Sequence, residues 1–434
     1  MKTLSVFEAF SHVASHMPFY KKILSDKNID PALIVTMDDF ITKVPILHKQ
    51  DIFSKFSPED LVQNGDMSEI RSAILTSGTS GVFAYSLLTK KDEQIQQGMV
   101  DDMLKTFFNA EQEPPLIINA LAMGVTFASS YPVITTSVRS DMVIHVLKTL
   151  SPHYKRTIIV ADPYFAKKII DEACESGFDW TRFPIVFVVG GSLSSNSLLQ
   201  YMLYRINKEQ GIESNIVQGT MGLTEIGLNI FSALPDLISI RNNIQHDKVL
   251  MNKLFGDSVT VCPELMYYNS ERVFVEIINP DAHGFGEIVL SNLDMTALNP
   301  LIRYNTGDVG KFLDKKDIPE AQFPLPIIAI GGRSGDRKDG ISLTAIILEA
   351  LFCDVLIAKH VSGHFKVQQT EQGLEVIVHI RNNDCDKNHI SAEITKNLNI
   401  LGVNNIHVLC EASLVFDQDV DISYEGKWKH TLKK

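Results

Sequence analysis

The sequence is poor in cysteine and has no two of them close together. Five in 434 residues, Cys174, Cys262, Cys353, Cys385 and Cys410, include no CxxC spacing. That favours a reducing compartment over a disulfide framework. No apolar run approaches the ~20 residues of a membrane-spanning helix, and the first residues hold no signal-peptide core. A cytoplasmic protein without a membrane association is expected. Positive charge is also in deficit: the formal net charge of −12 argues against general binding to nucleic acid or to anionic membranes. A local basic patch could still hold a phosphate-bearing ligand. Internal repeats and low-complexity segments are lacking. What remains is ordinary globular composition, 45% hydrophobic and 21% charged, in a chain long enough for roughly two to four domains or subdomains.

Residues 4 to 24 read as an amphipathic helix with Leu4, Phe7, Phe10, Val13 and Ala14 on one face, ending near Pro18. A short helix over Met37 to Ile41 follows, then the stretch Pro45 to Ile52, where Pro45 marks an extended start. Short apolar strands then alternate with helices. Strands are expected over Ser72 to Leu75, Tyr85 to Leu88, Pro115 to Ala120, Thr157 to Val160, Ile185 to Val189 and Ile212 to Gln218. Helices are expected over Lys91 to Phe108, Asp141 to Leu150, Pro163 to Ser176 and Ser195 to Lys208. This alternation fits a largely parallel sheet covered on both faces. From Val261 the texture turns to β, over Arg272 to Ile278, Gly286 to Leu290, Gly310 to Leu313 and Ile327 to Ile330. The last hundred residues form a small α+β unit. Its signals are a hairpin over Phe365 to Ile380 turning at Glu371-Gln372-Gly373, a helix over His389 to Leu398 and a strand over Ile406 to Leu409.

Four stretches could carry chemistry. Thr76-Ser77-Gly78-Thr79-Ser80-Gly81 has no bulk to pack, so it reads as a surface turn or as a loop whose amides and hydroxyls cradle phosphate. Met221-Gly222-Leu223-Thr224-Glu225 follows the strand ending at Gln218 across a Gly-containing turn. Its hydroxyl and carboxylate could meet a phosphate and a divalent cation, or cap a helix. Leu301 to Asp308 places a carboxylate after a tight turn between strands, and is equally a plain hairpin turn. Gly332-Arg333-Ser334-Gly335-Asp336 lies where a flexible linker would also be expected.

In this order, and followed by Glu425-Gly426-Lys427, these stretches resemble the adenylate-forming (acyl-adenylate synthetase) superfamily over nearly the whole chain. The branch most similar is the phenylacetate–coenzyme A ligase-like group, which Pro45 to Ile52, Gly190-Gly191-Ser192 and Pro300 to Tyr304 also resemble. The resemblance implies an α/β fold. It would have a large N-terminal adenylation domain over residues 1–332, made of layered α/β sheets plus a β subdomain. A small mobile α+β domain over 333–434 would carry the catalytic lysine.

The implied reaction is ATP-dependent activation of an aryl or acyl carboxylic acid, then transfer to a thiol. Coenzyme A is the expected acceptor, and the phosphopantetheine of an acyl carrier protein is the alternative. A protein acyl ligase and a nucleotide-binding homologue without turnover are rival readings. By resemblance Thr76 to Gly81 would hold the ATP phosphates, with Gly219, Thr220, Met221 and Gly222 around the nucleotide. Thr224 would touch the α-phosphate, Glu225 would hold Mg2+, and Asp308, assisted by Arg333, would bind the ribose. Lys427 would bridge phosphate and substrate carboxylate. The acid would sit near Gly124, Gly190, Gly191 and Ser192. A homodimer is common in the branch.

Several positions depart from the family pattern. Val82-Phe83-Ala84 stands where a lysine is usual, so the loop is expected to supply amides and hydroxyls while Mg2+ and Lys427 supply most of the positive charge. Met221 replaces an aromatic residue, Asn305 an arginine, and Gly335 the usual charged hinge residue. Of a zinc site seen in many relatives only Cys262 matches, with Tyr267 and Tyr268 and the Phe323 to Pro326 stretch elsewhere, so no zinc is expected. His360 and His364 have ligand spacing, but Ser362-Gly363 between them predicts a turn between strands.

Overall fold

The computed structural model describes residues 4–76, 81–122, 124–295, 297–338, 341–371, 373–381 and 384–412. Ser77 to Ser80 of the small-residue loop, and Lys427, lie outside these residues.

Eleven strands form one mixed sheet. Its order runs from Val273–Ile278 through Gly286–Asn292, Tyr304–Leu313, Ile327–Arg333, Glu264–Tyr268 and Gly227–Ala233 to Ile216–Leu223. It continues through Ile185–Gly190, Thr157–Ala161 and Leu116–Ala120 to Val133–Thr135. From Ile216–Leu223 to the Val133–Thr135 edge every pairing is parallel. On its other side the same strand pairs antiparallel, and so does the rest of the sheet. The β-rich stretch therefore continues the parallel sheet. Strand Ile216–Leu223 is the changeover.

The parallel strands read as unbroken apolar runs because both faces are covered. Alternate residues separate cleanly. Ile117, Ile158, Val186 and Val188 pack with Leu104 and Phe108 of helix Lys90–Phe108. Their neighbours Ile118, Ile159, Phe187 and Val189 belong to the main core, with Ile169, Ile170 and Met202 of helices Pro163–Glu175 and Asn196–Ile206. Helix Lys90–Phe108 starts at a capping box, in which Thr89 and Asp92 satisfy each other's backbone amides, and stops at Asn109 in the left-handed conformation.

Several expected elements change. The first helix is two, Val6–His16 and Pro18–Asp26, because Pro18 cannot continue a helix and opens the next one at its first position. Past the extended start at Pro45 the chain turns helical from Lys49 to Phe53. The strand expected from Ile212 starts at Ile216 and runs on through Gly219, Thr220, Met221 and Gly222 to Leu223. Thr224-Glu225 then turns a hairpin into Gly227–Ala233, so neither a preceding turn nor a helix cap describes it. Likewise Tyr304 to Asp308 is not a turn between strands but the first half of strand Tyr304–Leu313. Helices Pro235–His246 and Lys248–Phe255 and the edge strand Val133–Thr135 had no counterpart in the sequence reading.

The C-terminal hairpin is as expected, Val361–Thr370 against Gly373–Ile380, with Ile406–Glu411 added in parallel and helix Lys387–Ile400 alongside. Ser362-Gly363 is not a turn: it lies within the first strand, where the register shifts between Val361 and Phe365. Gly363 has φ +96, and a Cβ there would stand 2.6 Å from the Tyr164 ring. This unit docks on helices Pro163–Glu175 and Asn196–Ile206. Arg381 Nη1 reaches Asp171 at 3.0 Å, and Lys167, Arg205 and Tyr201 OH converge on the same buried carboxylate.

Candidate active site

The site begins where strand Ile70–Leu75 ends. Thr76 N donates to Ala84 O and Ala84 N donates to Thr76 Oγ1, both at 2.9 Å, so the small-residue loop leaves and returns through one closed mouth. Gly81, just inside it, has φ +85, a conformation that favours glycine. The same Thr76 Oγ1 accepts a 2.9 Å hydrogen bond from Lys49 Nζ. Lys49 Nζ also stands 3.5 Å from Glu225 Oε1. The Tyr304 hydroxyl donates to that oxygen at 3.1 Å.

Glu225 is only 7% exposed, and among the described residues its contacts are a cation and a phenol. Burial, reinforced by the Glu225 charge, holds the Tyr304 phenol well above its ordinary range, so it stays a neutral donor. Lys49 answers the loop's missing lysine. A fixed positive charge reaches the loop mouth from a segment remote in sequence. Neither Lys49 nor Tyr304 stood among the candidate site residues. Lys49 lay within the Pro45 to Ile52 stretch, but no spacing in the sequence ties it to Glu225.

Further along the strand that starts at Tyr304, Asp308 pairs in register with Arg333. Arg333 Nε stands 3.3 Å from Asp308 Oδ1, while its Nη1 donates to Thr306 O at 2.9 Å. Thr306 Oγ1 accepts from Asp308 N at 3.0 Å. Gly307 between them has φ +74, and the Asp308 amide turns back onto the Thr306 hydroxyl. Asn305, which replaces an arginine in the family pattern, donates to Glu287 at 2.6 Å.

On the changeover strand, Thr220 donates to Asn229 Oδ1 at 2.7 Å across the hairpin. Met221 and Gly222 follow it, Gly222 exposed, and Thr224 stands in the turn beside Glu225. Gly219 and Gly190 are small for packing reasons. A Cβ at Gly219 would stand 2.9 Å from the Ala233 Cβ, and one at Gly190 would collide with the Thr220 carbonyl oxygen. A Cβ at Gly191 or Gly124 would meet nothing within 4 Å, and both have positive φ. Ser192 follows Gly191 at the strand end. The structure thus brings Thr76, Glu225, Asp308 and Arg333 onto connected elements through Lys49 and Tyr304. Gly190 and Gly219 lie where neighbouring strands leave no room for a Cβ.

No protein-family model matches the chain, and no curated protein matches it in sequence. Solved structures do match. A 2-hydroxyisobutyryl-CoA ligase in its postadenylation state with 2-HIB-AMP superposes with a TM-score of 0.67 at 14% identity, covering 99% of this chain and 88% of that one. An open conformation of that ligase, with 2-HIB-AMP and CoA, gives 0.57 at 14% identity over 99% and 90%. An anthranilate CoA ligase with anthranoyl-AMP gives 0.51 at 12% identity over 83% of this chain and 66% of that one. At such identities the likeness is one of architecture, and the architecture of this chain is that of the adenylate-forming acid–CoA ligases.

Proposed function

We propose that the chain activates a carboxylic acid with ATP and passes the acyl group to a thiol, that of coenzyme A. The single observation that carries this reading is Lys49 bridging Thr76 of the small-residue loop and Glu225 of the hairpin turn. A cation, a hydroxyl and a carboxylate converge there as phosphate chemistry requires. In the first step a carboxylate oxygen of the acid bonds to the α-phosphorus of ATP and the bond to pyrophosphate breaks. In the second, the thiol sulfur bonds to the acyl carbon, the bond to AMP oxygen breaks, and the thiol proton is lost to solvent or AMP.

Two anions must meet in the first step, so fixed donors matter most where charge redistributes. Lys49 and the loop, including Ser77 to Ser80, would hold the phosphates. Thr224 would donate to the α-phosphate, and Asp308 with Arg333 would receive the ribose hydroxyls. Glu225 suits Mg2+: both its described contacts use Oε1, leaving the other oxygen's lone pairs for a hard cation that keeps phosphate ligands. Bound Mg2+ would offset phosphate charge. Lys427, on the C-terminal unit from residue 333, would complete the positive charge when that unit closes.

The acid is proposed to be aryl or bulky acyl, as in the phenylacetate-like branch, placed beside the open positions Gly124 and Gly191. A carrier-protein phosphopantetheine would present the same thiol. The test is acid-dependent exchange of pyrophosphate into ATP over a broad carboxylic-acid panel. Exchange with at least one acid supports the reading; folded protein that exchanges with none overturns it. ATP binding without exchange would mark a nucleotide-binding homologue, and an acyl group found on protein by mass spectrometry would mark a protein acyl ligase.

A further inference from the structure

We propose that Arg303 is the positioning residue for Lys49, setting the register that delivers its ammonium to Thr76 and Glu225. The importance of Lys49 rests on the reading above; its placement by Arg303 does not.

Arg303 is 3% exposed and has φ +51, a backbone state that costs a non-glycine residue energy and persists only where its surroundings over-determine it. The surroundings do so from four sides. Its guanidinium makes a bidentate pair with Glu276, Nε to Oε2 at 3.1 Å and Nη2 to Oε1 at 2.9 Å. Its Nη1 donates to Ile41 O at 2.7 Å and Val44 O at 2.5 Å, carbonyls at the end of helix Met37–Lys43. A cation is favoured at that helix end, and the guanidinium also lies 5.6 Å from the Phe40 ring centroid. Its backbone amide donates to Ser291 Oγ at 2.9 Å. Finally, its carbonyl accepts from Leu47 N at 2.9 Å, while Asn305 N donates to Leu47 O at 2.9 Å.

The result is a two-point hold on the stretch that leads to Lys49. The side chain grips the helix end and Val44, and the backbone grips Leu47, two residues before Lys49. With the chain pinned at 44 and 47, helix Lys49–Phe53 starts in one place, and Lys49 projects from its first position. Tyr304, the next residue along, reaches Glu225. One short stretch of chain therefore aligns both partners of the Glu225 carboxylate. The pair is fully buried, so a lysine cannot replace the arginine: it lacks the planar fork that serves Glu276 and two carbonyls at once.

The test compares Arg303→Lys and Glu276→Gln with the wild type in full-length protein. Folding is verified by circular dichroism, and the acylation rate of each lysine by a small amine-reactive ester is read by mass spectrometry. Lys49 should label several-fold faster in the variants, with lysines remote from the 37–53 stretch unchanged. An unchanged Lys49 rate in a folded variant overturns the proposal. Should Arg303→Lys not fold, Glu276→Gln, which keeps shape and the arginine, decides alone. A double-mutant cycle adds an activity readout: Arg303→Lys should raise the KM for ATP in pyrophosphate exchange, and should add no further loss on top of Lys49→Ala. Additive losses would mean that Arg303 does not act through Lys49. Absence of exchange in the wild type would sink the proposed reaction, while the labelling rates would still decide the placement.

Discussion

Lys49 Nζ lies 3.5 Å from Glu225 Oε1 and 2.9 Å from Thr76 Oγ1, so one ammonium joins the segment before the first strand to both expected phosphate-binding motifs. Replacing it with alanine leaves Glu225 buried with only the Tyr304 hydroxyl as a described partner. Lys49→Ala should lower acid-dependent pyrophosphate exchange by about a hundredfold or more, the scale for losing one preorganised charge-stabilising donor. The melting temperature should also fall, because the Glu225 carboxylate is left buried without its cation. Steady-state exchange at varied ATP, alongside thermal unfolding, checks this; undiminished exchange would remove Lys49 from the site.

Gly190 ends a buried strand against the Thr220 carbonyl. Gly190→Ala should destabilise the fold by roughly 1–3 kcal/mol, the usual cost of overpacking, and should shift Thr220, which carries the hairpin bond to Asn229. Urea unfolding measures the loss. An unchanged midpoint would show that the two strands are further apart than described.

Glu349 carries a pH dependence. Its Oε2 accepts from Ser197 N at 3.1 Å where helix Leu343–Phe352 meets helix Asn196–Ile206. Burial raises its carboxyl above the ordinary 4.5, only partly opposed by the Ser197 amide and by Arg241. A raised carboxyl means that the folded state binds more protons than the unfolded state above about pH 4.5, so its contribution falls as pH rises through that window. Glu349→Gln removes the titration and keeps an acceptor for Ser197. Its stability relative to wild type should therefore climb across the pH window that opens at about pH 4.5. Urea midpoints across that window read it out, and a difference that stays constant with pH would contradict the burial.

How far the sequence was legible follows from the physics of each element. Strands such as Ile185–Gly190 announce themselves because both faces are covered and every position is apolar. The C-terminal hairpin was equally plain from its turn at Glu371 to Gly373. Gly227–Ala233 was not, since a strand that contains Gly227, Asn229 and Ser232 lacks a strong β pattern. Thr224-Glu225 was ambiguous because a hydroxyl followed by a carboxylate serves a helix cap, a hairpin turn and a metal ligand alike. Tyr304 was hidden by its neighbours Asn305, Thr306 and Gly307, which read as a turn but form a strand bent at Gly307. The Lys49–Glu225 contact is non-local: the backbone bonds of Leu47 to Arg303 and Asn305 bring the Lys49 segment to the strand whose Tyr304 reaches Glu225.

The most direct measurement of the central claim follows an oxygen atom. An acid that supports exchange is prepared with heavy oxygen in its carboxylate and turned over with ATP, Mg2+ and coenzyme A, and the AMP is weighed by mass spectrometry. Attack of the carboxylate on the α-phosphorus requires one heavy oxygen in the AMP and an equimolar acyl thioester. AMP that carries no label, with thioester formed all the same, would mean that no acyl adenylate lies on the path.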